Sequence, residues 1–488
     1  MGRPLAGGRE RAVTREPAAG PGAAATTWSH AGFVGSLGVG RRDITPPAGI
    51  FFRSWGPATL DIPRGVHRPL TLTALALRAP QEEPLVLIAA DLGWWQQIED
   101  ERHVRGALLD ALGLPEERVL VNLSHTHSGP SLCSAEAHQP GGQLIGPYLD
   151  TVRDAAIAAA GEAIETAAPG RLDWASGLCD LAVNRDLPVG DRYLVGFNPE
   201  GEADATLLVG RVCNAQGALV ATLVNYACHP TTLAWQNELI SPDYVGAMRE
   251  VVEAATGGAP CLFLQGASGE LAPREGYVGD PAVADRHGRR LGHAAVSTLT
   301  GMLAPGTALA FTHTVESGAP LAMWEAVPQG GDGRLAAAGL RVPVELKQVA
   351  TIEELRRRWS TIDERSLRER LTRARRVREI YASVTDPVQP AWVWRLGGAL
   401  LVAHPGEAYS LFQQRLRARR PGTAVVVLNV TNGPGWLYLP PREAYASDRY
   451  SVWQTVLAAG SMERLEEACS REIDALLALP AGAAGEDA

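Results

Sequence analysis

The strongest constraint on this chain is a set of short, wholly apolar runs, each ending in a polar loop. Residues 84–91 read PLVLIAAD, 118–123 RVLVNL, 219–226 LVATLVNY, 260–265 PCLFLQ and 424–430 AVVVLNV. Runs this short, with no polar alternation, suit strands buried on both faces. Between them lie stretches with helical spacing: 99–113 ending at glycine, 148–168, 242–255 with proline in its first turn, 281–302, one from about 408, and 451–479. Residues 392–403 (WVWRLGGALLVA) read as a hairpin turning at Gly397 and Gly398. Strands alternating with helices predict an α/β fold, a large mixed sheet flanked by helices. In such sheets the active site lies beyond the carboxyl ends of the strands.

Residues 35–480 are expected to form a single catalytic domain, with unstructured tails at 1–34 and 481–488. Residues 308–386 differ in texture and are expected to be a variable, partly helical insertion. Within it, 342–349 (VPVELKQV) alternate like a half-exposed strand, and the charge-laced 352–383 read as a solvated helical hairpin. No internal repeat is evident in the sequence. The net charge of −9 offers no basic field for nucleic acid or anionic lipid. The 45 basic residues are 44 Arg and one Lys, Lys347. Six Cys with no CxxC spacing exclude a zinc ribbon and a thioredoxin motif, and are expected to be buried, reduced thiols. No apolar run reaches the ~18 residues of a membrane span. Residues 1–34 lack the apolar core of a secretory signal, so a soluble, cytoplasmic protein is expected. Nothing in the sequence sets the oligomeric state.

Five polar loops follow strand ends. They are 124–130 (SHTHSGP), 228–230 (CHP), 265–270 (QGASGE), 404–407 (HPGE) and 432–438 (NGPGWLY). A lone HxH pair arises readily by chance. His125 and His127, joined by His229 and Glu407 at equivalent strand ends, make a catalytic zinc site, with three or four N/O ligands and one open position. His404 is a further possible ligand. His103, His287 and His293 fall on helices and read as surface or packing residues. The chain lacks HxHxDH, GxSxG, a Walker A loop and a GxGxxG opening a βαβ unit, which excludes the corresponding enzyme classes.

The ordered motifs resemble the neutral/alkaline, non-lysosomal ceramidase family. They are 38–49 (GVGRRDITPPAG), 122–130 (NLSHTHSGP), 183–186 (VNRD), 225–232 (NYACHPTT), 238–248 (ELISPDYVGAM), 263–274 (FLQGASGELAPR), 404–417 (HPGEAYSLFQQRLR) and 432–445 (NGPGWLYLPPREAY). Those enzymes are zinc hydrolases that cleave the amide of an N-acylated sphingoid base. The resemblance implies one Zn²⁺ per chain, held by His125, His229, Glu407 and Tyr438. It also implies that His127 acts as acid/base and that Arg185 orients the substrate. Glu270 joins His127 and Arg185 as a candidate catalytic residue, and residues 266–269 are expected to form a backbone cradle. Ala272 stands where the family carries a serine, which favours a zinc–water mechanism and a substrate other than ceramide. About 40 residues follow Tyr445, so the family's carboxy-terminal immunoglobulin-like domain is not expected. The implied activity is hydrolysis of a linear N-acyl amide, lipid-like or a small metabolite. The alternatives are acyl transfer or ester or lactone cleavage on the same site, or a non-catalytic zinc- or ligand-binding role.

Overall fold

The computed structural model describes residues 29–381, 384–435 and 438–479. Eight strands form the first sheet: β1 (Ser29–Asp43), β2 (Thr71–Arg78), β3 (Leu85–Ala90), β4 (Val119–Leu123), β5 (Ala168–Leu178), β6 (Thr206–Asn214), β7 (Leu219–Tyr226) and β8 (Cys261–Gln265). Their order is β8-β7-β6-β5-β1-β2-β3-β4. A second sheet holds β9 (Leu335–Pro343), β10 (Val388–Leu396), β11 (Ala399–Ala403) and β12 (Val425–Leu428), in that order. The α/β class and the mixed sheet are as expected, but the sheet is two sheets packed face to face. Phe33, Leu75, Leu87, Leu120 and Trp174 of the first meet Trp392, Trp394, Leu401 and Val426 of the second in one buried cluster.

Helices cover both outer faces. α1 (Ile145–Glu165) packs Tyr148, Leu149 and Val152 against Ile88 and Val121. α2 (Tyr244–Ala255) and α3 (Pro281–Thr300) cover β6 to β8 through Val245, Met248 and Leu291. On the second sheet, α4 (Ser410–Ala418) and α5 (Ser461–Ala478) bury Phe412, Leu465 and Ile473. The layers therefore run helix, sheet, sheet, helix.

The structure contains a repeat that the sequence does not display. In β2–β3–β4, β6–β7–β8 and β10–β11–β12 alike, an antiparallel pair is followed by a helical stretch and then by a strand parallel to the second. The three closing strands meet at a ring of buried polar groups. Gln265 N donates to Asn122 Oδ1 (2.9 Å), Asn122 Nδ2 to Asn429 O (2.7 Å), and Asn429 N to Gln265 O (2.9 Å). These three bonds close the ring, and the functional loops diverge from this junction.

Several boundaries depart from expectation. β1 begins at Ser29, inside the segment expected to be a tail. The rest of that tail and 481–488 lie outside the described residues. The sequence reading passed over β1 because it is rich in glycine. A Cβ at Gly38 would come within 2.0 Å of Ala163 O, so glycine lets α1 lie directly on the strand. Pro242 precedes α2 rather than entering its first turn; Asp243 caps that helix. The expected closing helix at 451–479 is broken into Tyr450–Gln454 and α5. Segment 308–386 holds an exposed hairpin (Thr307–Glu316 and Pro320–Pro328), then β9, then helices Ile352–Arg358 and Glu364–Tyr381. β9 lies on the second sheet, so this part is integral to the fold, and the strand expected at 342–349 lies instead at 335–343. All six cysteines are free and buried. Among the described residues no helix is long and apolar enough to cross a membrane.

Candidate functional site

His125 lies two residues beyond β4, held there by His125 N donating to Leu92 O (2.9 Å). Its φ of +68° is rare for a residue with a side chain, and strain of this kind concentrates at functional sites. His229 lies three residues beyond β7, tied by its N–H to Leu271 O (3.0 Å). Glu407 and Tyr438 are register partners in a short parallel ladder, which brings two distant loops side by side. His125, His127 and His229 present ligand atoms all within 4.8 Å of one another, a group that can hold a metal.

The hydrogen bonds define the chemistry of this group. His229 Nδ1 faces Ser268 O at 2.6 Å, and its Nε2 faces Glu407 Oε2 at 2.9 Å. His125 repeats the pattern, with Nδ1 3.3 Å from Gly93 O and Nε2 3.4 Å from the same Glu407 oxygen. Burial, with Arg185 adding to it, lowers the His229 pKa to about 4, so the ring is neutral near pH 7 and carries one proton. Nδ1 uses that proton on a carbonyl, so Nε2 turns a lone pair toward the carboxylate. Burial would raise the Glu407 carboxyl; rings that turn an N–H toward it in place of a lone pair hold it well below the usual range, so the group is a carboxylate with or without a cation. Two imidazole lone pairs and a carboxylate oxygen converging in a buried space form a donor set for a cation. The backbone carbonyls behind the rings fix their orientation.

Arg185 closes one side. Its Nη2 donates to Gly269 O (2.7 Å) and Tyr438 OH (3.1 Å) and lies 3.4 Å from His229 Nε2. Burial opposes its charge, but Tyr438, Tyr277 and Glu407 keep the guanidinium protonated. The Tyr438 ring stacks on His229 with centroids 6.4 Å apart. His127 sits between Trp55 (5.3 Å) and Trp94 (4.8 Å), and its Nε2 is buried with no hydrogen-bond partner among the described residues. Burial, followed by His125 and His229, pushes its pKa well below 6.5. The helical insertion reaches this wall as well: Arg373 Nη2 donates to Ser54 O (2.8 Å), and Ser54 Oγ to His127 O (2.6 Å).

The structure thus brings together His125, His127, His229, Glu407, Tyr438 and Arg185. It does not bring the Glu270 side chain to them, although Arg185 N donates to Glu270 O (2.8 Å). That carboxylate accepts Ser410 N (2.9 Å) and Ser410 Oγ (2.5 Å) at the start of α4, so Glu270 caps a helix rather than facing the imidazoles. Burial, against the Ser410 bonds, raises its pKa from 4.5 to about 7. The folded chain therefore holds this proton where the unfolded chain has lost it, and stability falls as pH rises through that window. Glu270→Gln is expected to flatten the 4.5-to-7 limb of a plot of unfolding midpoint against pH. An unchanged limb would contradict this.

The expected cradle at 266–269 is also not free. Gly266 N, Ala267 N and Gly269 N donate to Tyr226 O, Gln413 Oε1 and Ala408 O. His404 is fully buried against Phe412, outside the metal-fit group. His287 is buried on α3, with Nδ1 3.2 Å from Thr232 Oγ1, as a packing residue. The sequence reading missed Gly93, Trp94 and Trp55. The first two were findable, because the loop after PLVLIAAD is itself a loop at a strand's carboxyl end.

Two face-packed sheets with helices outside make a four-layered α/β fold, with a histidine–carboxylate cluster at the strand ends. Among solved structures, the chain is similar to a ceramidase complexed with C2 and to the neutral ceramidase of Pseudomonas aeruginosa. Each aligns with a TM-score of 0.65 and 18% identity over 93% of this chain, and over 77% and 76% of the other chain respectively. No protein-family model matches the chain, and no curated protein does.

Proposed function

We propose that this chain is a zinc-dependent hydrolase of the ceramidase type, cleaving the amide bond of a linear N-acyl amine with water. The convergence of His125 Nε2 and His229 Nε2 on one Glu407 oxygen supports this reading most directly. The zinc ligands would be His125, His229, Glu407 and Tyr438. A zinc ion held there would supply Lewis-acid polarisation of the amide carbonyl and a lowered pKa for water. His127, neutral through burial and free at Nε2, takes the proton released by water and passes it to the leaving amine. Arg185, fixed by Gly269 and Tyr438, lends positive charge where the carbonyl oxygen becomes negative. Water adds to the carbonyl carbon, the C–N bond breaks, and a carboxylic acid and an amine leave.

The substrate is a lipid-like or small-metabolite N-acyl amide. Ala272 is buried in a short strand beside Val183, two residues from Arg185, so a methyl group stands where a hydroxyl would otherwise reach. Elemental analysis of the purified protein is expected to find about one zinc per chain, the stoichiometry of a single ligand set. A panel of N-acyl amides and matching esters is expected to show amide hydrolysis that chelation abolishes. Full amidase activity in metal-free protein would overturn the reading.

A further inference from the structure

A cavity lies away from the histidines, between the helical insertion and the segment 448–456. It encloses about 230 Å³ and is lined by Lys347, Arg358, Arg370 and Arg378, with Asp448 as the acidic member of the lining. Trp359 and Trp453 form its apolar walls, their ring centroids 5.3 Å apart. It is separate from the metal-fit site: Trp453 contacts Tyr450 (4.8 Å), and Tyr450 contacts Tyr438 (5.5 Å), so two rings stand between.

Three of the four cations are held in place without being neutralised. Lys347, the only lysine in the chain, donates one N–H to Val452 O and lies 6.0 Å from the Tyr445 ring centroid. Arg378 is fixed by the carbonyls of Ala374 and Ala350. The Arg370 guanidinium stacks on Trp359 and Trp453 at 5.4 and 5.5 Å, a contact that uses its flat face and leaves its in-plane N–H groups for other partners. Among the described residues, none of these four side chains has a carboxylate within 4.0 Å. Burial, with Arg358 and Arg378 adding to it, pushes the Lys347 ammonium down to about 8. Four like charges round one small space, with one carboxylate in the lining, repel one another until a negative group enters.

We infer that this cavity binds one small anion, through a carboxylate or a phosphoryl group set among Lys347, Arg358, Arg370 and Arg378. Its volume is below the roughly 300 Å³ at which drug-sized sites begin, so the ligand is a small metabolite. The inference does not depend on the proposed hydrolase activity.

Calorimetric titration of the full, metal-loaded protein tests it, using inorganic phosphate, butyrate and, as the uncharged analogue, butyramide. At least one anion is expected to bind once per chain, and butyramide is not. Arg358→Gln should weaken that anion about fivefold, the scale of one exposed charge. Arg358 is exposed and makes no hydrogen bond among the described residues, so this variant keeps the fold. Lys347→Gln should weaken it about tenfold or more, because a half-buried charged donor is lost. Binding of phosphate alone assigns a phosphoryl ligand, and binding of butyrate alone a carboxylate. Failure of both anions to bind, equal binding of butyramide, or an affinity unchanged in Arg358→Gln overturns the inference. The last result would place the anion at the metal site instead.

Discussion

His229→Ala is expected to yield a folded chain that neither holds zinc nor turns over substrate, whereas His127→Ala keeps zinc and loses turnover. The division follows from what each ring already does. His229 is pinned at Nδ1 by Ser268 O and aims Nε2 at Glu407, so its removal would delete a proposed ligand and leave the carboxylate with one imidazole in place of two. Among the described residues His127 has no such carbonyl behind it, and its ring packs instead against Trp55 and Trp94. Loss of a positioned acid/base costs about 10²- to 10⁴-fold in rate. Loss of the metal removes the polarised carbonyl and the activated water together, so the His229 effect should be the larger. Metal content and turnover are read on the same preparations. Equal zinc loss in both variants would make the three histidines themselves the ligand set, which their 4.8 Å grouping also permits, and would remove His127 from acid/base work.

That choice between two ligand sets shows where sequence reasoning stops. His125, His229 and Glu407 could be picked out because each follows a strand end, and strand ends are visible as apolar runs. The pairing of Glu407 with Tyr438 was implied by the family resemblance alone, because it rests on a two-residue ladder with no periodicity of its own. Glu270 shows the converse. It adjoins the 265–269 loop in sequence, yet a carboxylate takes whichever donors it meets, and these are Ser410 N and Oγ at the start of α4. The central strands β1, β5 and β6 escaped notice for a related reason. They carry glycine where a helix, a neighbouring strand or the Trp174 ring lies close: Gly38 beneath α1, Gly170 beside Cys213 and Gly210 against Trp174. The packing explains the composition there, and composition alone does not reveal the packing. Two sheets rather than one could not be inferred either, since a strand buried against a sheet and one buried against a helix are equally apolar.

Arg249→Met is expected to cost about 3–5 kcal/mol of folding stability, the scale of an orphaned buried charge. Arg249 Nη2 donates to Asp91 Oδ1 at 2.6 Å, and the two side chains are 10% and 2% exposed. Asp91 Oδ2 is occupied by Thr71 N and Thr71 Oγ1 at 2.8 and 3.0 Å. Removing the guanidinium therefore leaves an ionised carboxylate in the interior with neutral donors only. The consequence reaches the site, because Asp91 opens the loop whose Gly93 carbonyl orients His125 and whose Trp94 packs on His127. A loop that no longer holds Gly93 O in place should weaken zinc binding by about 10- to 100-fold, as lost outer support does elsewhere. The double variant Asp91→Asn with Arg249→Met separates the causes. The side-chain amide introduced by Asp91→Asn would still accept from Thr71 but carry no charge, so most of the stability and zinc affinity should return. Denaturant unfolding and competitive zinc titration measure the two quantities. A single variant within about 1 kcal/mol of the parent, the ordinary scale of a point substitution, or a double variant no better than the single, would mean that this ion pair does not hold the loop. The orientation of His125 would then have to come from its strained backbone alone.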